Sequence, residues 1–553
     1  MRIVAQIPLS RRHFMAGLAV AGVGGSVASS EASQSSSVAH ISDAIQLSID
    51  NIVREGTSDV FHQPSEVALL ARDQSFRSLV AARTLERIAQ GHFDPRHHTA
   101  VELVDVPKKG YGARRACAAM CPLDTIEYLS LAVQVAPLIE RCRVPAPMRQ
   151  VFSYRFSPRA GRLFDARYSY TEFTRAVRKA RDSGKVVVRC DIERFYPSIS
   201  PATALSALER CGVDAVVSQY LFQLLTFWSS CGCHGLPVGS NASRILAEAV
   251  LVPTDNALLG AGIDFVRFVD DYCLIADDAH SADVAVQSLA EFLKAENLRL
   301  NESKTVWLTR TKAEPFGNER GRNSTEKQQR IGRVIGDPPP AAKMSGSLGV
   351  PRKFRAAIPR EIAQMRRKPP IDFQSLLGGA ELSAPWLVRQ ALRIALYGTE
   401  PARLRGIPAL LSRYPEMSEY CVGMLTQCAD RIPANIRHDV GTGLSALILN
   451  SATPTFAVLN LVELFGNSSY PGRKALLQFC RMNAYGRGPH SLRFALRSLA
   501  RTGGIPADIR VTDHGEWTAR TILIEAGKLA ELQGMFKSRK VDGPRLRPAP
   551  GLT

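Results

Sequence analysis

The order of patterns along this 553-residue chain predicts an α+β domain followed by an all-α, helical-repeat-like domain. Three observations carry that expectation. Short β-branched runs alternate with amphipathic stretches between about residues 100 and 310. From about 376 to 535 one amphipathic helix pattern follows another, with Pro and Gly at the turns. Between the two, residues 311–375 turn rich in Lys, Arg, Pro and Gly, as in VPRKFRAAIPREIAQMRRKPP, and read as a basic connector. Hydrophobic residues at 45% and charged ones at 22% exclude a chain that is disordered throughout.

Taken from the N-terminus, SRRHFMAGLAVAGVGGSVASS sets Arg11 and Arg12 before Phe14 and a Gly/Ala-rich run, and resembles a bacterial twin-arginine export signal. A start at Met15 or a chance match is the alternative, and a cytoplasmic protein is the expectation. Residues 29–40, SSEASQSSSVAH, read as a flexible linker, so 1–40 is a signal-like or disordered segment. Helical spacing fills most of 41–100. Strands are expected in TAVELVDVP, KVVVRCDI, DFVRFVDDYCLIA and LRLNESKTVWL, and helices in PATALSALERCG, SRILAEAVLVPTDNALL and SADVAVQSLAEFLKAENL. Further on, SAPWLVRQALRIALYG has Pro385 at a first-turn position, Gly398 at its stop, and Leu387, Ala391, Ile394 and Ala395 on one face. A stack of such units over 376–535 resembles an α-solenoid, and 536–553 form a basic tail.

The surplus of 70 Lys+Arg over 51 Asp+Glu, a net charge of +19, points to a polyanionic partner, RNA and/or DNA. Eleven cysteines, mostly scattered singly through apolar stretches, suit reduced thiols rather than a disulfide framework. Two clusters, Cys231 with Cys233 and His234, and Cys117 with Cys121, lack the second ligand pair of a zinc site and read as structural. No apolar run is long enough to span a bilayer, so no membrane partner is expected.

In VVVRCDIERFYPSI a β-branched strand runs into Asp191, followed by Phe195 and Tyr196. Downstream, FVRFVDDYCLIADD sets Asp270 and Asp271 in the middle of a hairpin pattern. Two adjacent carboxylates in an apolar setting repel unless a cation neutralises them, so the pair suggests a metal. A solvated turn is the plainer alternative. One aspartate from a strand and a pair from a hairpin turn could converge on divalent ions, as phosphoryl transfer with two metals requires. In GLPVGSNASRILAEA, Gly235 and Gly239 permit backbone close to a substrate, and Ser243 opens a helix. Lys304, in NLRLNESKTVWL, could reach a pyrophosphate leaving group. Lys108, Lys109, Arg114 and Arg115, in VDVPKKGYGARRACA, could cradle a triphosphate or form a solvated basic turn.

The order of these pieces resembles the reverse transcriptase family. PKKGYGARR is similar to its finger motif, DIERFYPSI to its first palm motif and GLPVGSNAS to its Gly/Pro motif. FVDDY is similar to its two-aspartate hairpin and LNESKT to the Lys motif that follows. The resemblance covers roughly residues 100–310 and implies right-hand polymerase fingers and palm over 41–310. It implies that Asp191, Asp270 and the Ile192 carbonyl hold two Mg²⁺ ions (Mn²⁺ as a substitute), with Asp271 beside them. Tyr196 would lie under the incoming sugar and screen against a 2′-hydroxyl, Lys304 would act as general acid, and Lys108 with Arg115 would contact the triphosphate. Phe195, Gly239 and Ser243 complete the expected substrate-facing set, with dNTPs as substrate. Phe268 stands where the family commonly has Tyr, and Val238 where retroviral members have Gln.

The helices after the palm, and VFSYRF before the first palm motif, resemble the bacterial abortive-infection and phage-defence reverse transcriptases, whose C-terminal half is a helical-repeat domain. Some members of that group polymerise without a template and prime from a protein tyrosine. Tyr397, Tyr414, Tyr420, Tyr470 and Tyr485 lie in the helical region here, with plain helix packing as the alternative for each. The expectation is an RNA-directed DNA polymerase that adds dNTPs to a 3′-hydroxyl or protein hydroxyl in antiphage defence. A retroelement enzyme copying its own RNA and a non-catalytic nucleic-acid-binding scaffold stand against it. The presence of every expected carboxylate argues against the scaffold. The helical domain is further expected to offer a surface for self-association.

Overall fold

The computed structural model describes residues 30–108, 114–308, 354–379, 383–483, 488–506, 509 and 515–537. The twin-arginine stretch, Lys109, most of the basic connector, Tyr485 and the tail beyond Lys537 lie outside them.

Three helices come first, α1 (Ser30–Glu55), α2 (Ser65–Arg72) and α3 (Gln74–Ala89). The Ser-rich run expected as a linker is the opening of α1. No Gly or Pro interrupts it, and a Ser in a helix costs only about 0.5 kcal/mol relative to Ala, so the helix runs through. A hairpin follows, β1 (Glu102–Pro107) antiparallel to β2 (Arg114–Ala119). Next is α4 (Pro122–Cys142), buried along most of its length against α1. A small hairpin, β3 (Phe156–Arg159) with β4 (Arg162–Phe164), leads to α5 (Tyr170–Asp182) and the strand β5 (Val186–Asp191).

Four helices, α6 (Phe195–Ser198), α7 (Pro201–Arg210), α8 (Ala215–Ser230) and α9 (Asn241–Gly260), separate β5 from the hairpin β6 (Asp264–Phe268) and β7 (Asp271–Ala276). After α10 (Ala279–Ala295) the short β8 (Val306–Leu308) closes an antiparallel sheet of order β6–β7–β5–β8. Its alternation buries both faces. Val188, Cys190, Phe265, Tyr272 and Leu274 join the main core, whereas Val187, Val266, Cys273 and Leu308 pack under Phe173 and Val177 of α5. The stretch LRLNESKTVWL, expected as one strand, is broken. Leu300 bridges Ile192, Glu302–Lys304 forms one 3₁₀ turn, and only Val306–Leu308 pairs with β5. Asn301 diverts the chain, since its N–H donates to the Asp191 carbonyl at 2.7 Å and its side-chain amide to the Asp191 carboxylate at 3.2 Å.

The remaining helices are α11 (Pro359–Arg366), α12 (Phe373–Gly378), α13 (Pro385–Tyr397), α14 (Ile407–Arg413), α15 (Ser418–Gln427) and α16 (Ala434–Leu449). They continue with α17 (Thr455–Leu464), α18 (Arg473–Asn483), α19 (Pro489–Arg501), α20 (Glu516–Glu525) and α21 (Leu529–Lys537). Helices two apart stack, with α12, α14, α16 and α18 in one row and α15, α17 and α19 in a second. Tyr397, Tyr414, Tyr420 and Tyr470 are each at most 4% exposed. The Tyr414 hydroxyl donates to the Leu376 carbonyl and that of Tyr470 to Leu425, so ordinary helix packing accounts for these side chains.

Two features cross the expected division between halves. Val104, Val106, Cys117 and Ala119 of the β1–β2 hairpin pack into the core of the helical array. Conversely, α20 packs on α19 of the array and on α2, and Trp517 and Ile524 of α20 and Leu532 of α21 are buried in the core of the α+β half. Among the described residues no helix is long and apolar enough to cross a membrane.

Candidate active site

β5 and β7 pair in a register that makes Asp191 and Asp271 direct cross-strand partners, which puts both carboxylates on one face at one end of the sheet. Asp270 lies beside them in the turn. The two aspartates do not share that turn as expected: Val269 and Asp270 form it, and Asp271 is the first residue of β7. The Ile192 N–H donates to the Asp270 carbonyl at 3.2 Å and ties the end of β5 to the turn. Val269 takes a φ of +59°, which for a β-branched residue stores strain of about 1–3 kcal/mol.

What holds the strained turn lies beneath it. Arg267, 0% exposed, donates to the Val269 carbonyl at 3.0 Å, to Asp255 at 2.9 Å and to Glu248 at 2.9 Å. The Tyr272 hydroxyl also donates to Asp255, at 2.7 Å, so one carboxylate on α9 serves both strands flanking the turn. Arg143 and Ser153 complete the shell of Glu248 at 2.8 and 2.6 Å. Burial alone would raise the Glu248 carboxyl, but the Arg143 and Arg267 guanidiniums beside it hold it below its usual range. Sequence reading missed this network. Its signal was two acids, Glu248 and Asp255, seven residues apart and thus on one face of an otherwise apolar helix.

Two of the three aspartates keep a cation. Lys304 Nζ donates to Asp191 at 2.6 Å. Arg189, on the same face of β5, donates to Asp271 from Nη2 at 2.8 Å and from Nε at 3.2 Å. Asp270 has no such ion pair among the described residues. Burial, then the neighbouring Asp271 and Asp191, pushes its carboxyl up to about 7. Lys108, just after β1, belongs to the same neighbourhood. Burial, then Arg115 and Lys304, lowers its ammonium, while Asp191 and Asp270 act the other way. The fold therefore brings Asp191, Asp270, Asp271, Lys304, Lys108 and Arg115 together.

The remaining expected residues fall differently. Phe195 is buried in the core, and Tyr196 rests on it with ring centroids 5.3 Å apart. Burial pushes the Tyr196 phenol well above its ordinary value, and Tyr154 and Asp270 add to the rise. At Gly235, with φ +73°, a Cβ would lie 2.4 Å from the Tyr196 carbonyl oxygen, so the loop backs directly onto α6. At Gly239 it would lie 2.8 Å from Ser58 Oγ. The close neighbour of each glycine is protein. Ser243 does not open α9, because Ser240 caps it by accepting from the Ala242 N–H at 3.2 Å. Ser243 lies further in, fully buried, and donates to the Pro237 carbonyl at 2.7 Å.

Comparison with known proteins bears directly on this arrangement. Residues 131–336 match the family described as reverse transcriptase (RNA-dependent DNA polymerase). This segment is a reverse transcriptase domain. It runs from within α4 past β8 and holds Asp191, Asp270, Asp271 and Lys304, whereas Lys108, just after β1, and Arg115 of β2 precede it. Among solved structures, a telomerase from Candida albicans in complex with a TWJ fragment of telomeric RNA is similar at 10% identity, over 76% of this chain and 70% of that one. Its TM-score is 0.29, so the family match carries the assignment. No curated protein matches. The protein accordingly carries an RNA-directed DNA polymerase domain with palm and fingers, followed by a helical region.

Reverse transcriptase domains work with divalent metal, and the residues here fit such an ion. The donors are all carboxylate or carbonyl oxygens, and the raised Asp270 carboxyl marks crowded negative charge that a hard cation would neutralise. Among the described residues no group of three or more His, Cys, Asp or Glu is arranged to hold a metal, and Lys304 and Arg189 pair with Asp191 and Asp271.

Proposed function

We propose that the reverse transcriptase domain uses Mg²⁺, or Mn²⁺ in its place, to add dNTPs to a 3′-hydroxyl or protein hydroxyl, and that it serves antiphage defence. The observation that carries the reading is the meeting of Asp191, Asp270 and Asp271 beside three basic side chains, Lys108, Arg115 and Lys304. The hydroxyl oxygen attacks the α-phosphorus of the bound dNTP, the bond to the β-phosphate breaks, and pyrophosphate leaves. Asp191, Asp270 and the Ile192 carbonyl would hold the ions, with Asp271 kept in place by Arg189. Bound divalent metal supplies charge stabilisation for the phosphates and activation of the hydroxyl. Lys108 and Arg115 bind the triphosphate, and Tyr196 limits room at the sugar's 2′ position. Lys304 exchanges Asp191 for the leaving pyrophosphate and gives it a proton. The antiphage role and template-independent synthesis draw support from the helical array that follows the palm.

The test is incorporation of labelled dNTPs by purified protein with Mg²⁺, with and without an RNA template, using Asp270→Asn, Asp271→Asn as control. Template-free product that partitions with protein into phenol supports the protein-primed version, and template-dependent product supports copying. No incorporation by wild type sinks the polymerase reading. Equal phage plating on cells expressing wild type and the control variant would sink the defence role.

A further inference from the structure

The reverse transcriptase match begins at residue 131, yet residues far upstream pack on the Gly/Pro loop inside it. Residues 56–64 run as an irregular strap between α1 and α2. On one side the strap is anchored in the helical array. Val60 is buried in the array's core, His62 shares a 2.8 Å hydrogen bond with Asn460 of α17, and Arg497 of α19 donates to the Gln63 carbonyl at 2.7 Å. On its other side the strap meets the Gly/Pro loop, where Gly239 leaves room for Ser58, and Arg244 donates to Asp59 at 2.8 Å. Arg244 also donates to Asn241 at 2.6 Å, and its guanidinium lies 5.2 Å from the centroid of the Tyr154 ring. Tyr154, at φ +44°, has its ring centroid 6.1 Å from that of Phe268, the residue before the turn that carries Asp270. Burial would lower the Arg244 guanidinium, but Tyr154, Asp59 and Tyr196 beside it hold it above its ordinary value.

We propose that Arg244, latched by Asp59 of the strap, is a positioning residue for the nucleotide pocket: it fixes Tyr154, which packs on Phe268 before the Asp270 turn, as part of the wall that the sugar of an incoming dNTP meets. The planar fork of Arg serves Asp59 and Asn241 at its edge while its face covers the Tyr154 ring, a combination Lys cannot reproduce. Because the strap is seated in the array, the array's position sets this wall. The inference rests on the polymerase reading.

Steady-state incorporation by the full-length protein tests it, with Asp59→Asn and Arg244→Lys variants, dNTP and the matching rNTP as substrates, and thermal melts alongside. Loss of a charge-assisted hydrogen bond should raise KM for dNTP about tenfold and lower dNTP-over-rNTP discrimination about tenfold, with kcat within about threefold. The melting temperature of Arg244→Lys should stay near wild type, since Lys keeps the charge opposite Asp59. Variants with wild-type KM and discrimination, or with kcat and melting temperature reduced and KM unchanged, overturn the inference alone. Wild type that incorporates no dNTP overturns the polymerase reading and this inference with it.

Discussion

Lys304 and Arg189 neutralise Asp191 and Asp271, and Asp270 is left to bear the crowding at the end of the palm sheet. Two predictions follow from that one carboxyl. Its unfolded value is near 3.8 and its folded value about 7. Between about pH 4 and 7 the folded form therefore binds more protons than the unfolded chain, so stability falls as pH rises and stays low above about 7. Thermal melts in chelator should show this decline, Asp270→Asn should flatten that part of it, and excess Mg²⁺ at pH 8 should raise the wild-type melting temperature. If the proposed mechanism holds, the same variant should lower dNTP incorporation by at least about 100-fold, because it would remove a charged ligand of the divalent ion. These aspartates were legible in the sequence because like charges in an apolar hairpin demand a cation. Which basic residue would accompany each was not, because the sequence supplies 70 Lys and Arg for three sites.

At the scale of elements, the β6–β7 turn depends on α9. Arg267 reaches the Val269 carbonyl from a fully buried position that Asp255 and Glu248 make tenable. Replacing it with Met removes that hold and leaves two buried carboxylates short of a cation. Urea denaturation of Arg267→Met should show a loss of about 3–5 kcal/mol, as for other broken buried ion pairs. The loop before α9 is fixed against α6 in the same way, through the absence of a side chain at Gly235. Gly235→Ala would force a methyl to 2.4 Å from the Tyr196 carbonyl oxygen, so it should displace Tyr196 and lower incorporation. A circular dichroism spectrum like wild type would show that the displacement is local. The glycines and the palm hairpin could be found from sequence. Their neighbours could not, because a glycine that admits substrate and one that admits backbone look alike.

For the whole molecule, the last helices bind the chain's two halves. Trp517 is 4% exposed in the core of the α+β half, with the Arg493 guanidinium 3.6 Å above its ring. Trp517→Ala should cost about 3–5 kcal/mol in a denaturant titration. It should also lower the temperature at which polymerase activity is lost, although Trp517 touches none of the residues at the reaction centre.

By itself the sequence determined most strands and helices of the α+β half, its place ahead of the helical array, and the three aspartates. Hydrophobic period and local charge are properties of short segments, and they survive without knowledge of packing. Only the tertiary structure decided that Ser30 to Glu55 is one helix, that Asp271 answers to Arg189, and that α20 and α21 return to the first core. It also placed residues 56–64 between the array and Arg244. Each of these is a choice among many partners of suitable size or charge, and only the three-dimensional path of the chain makes it.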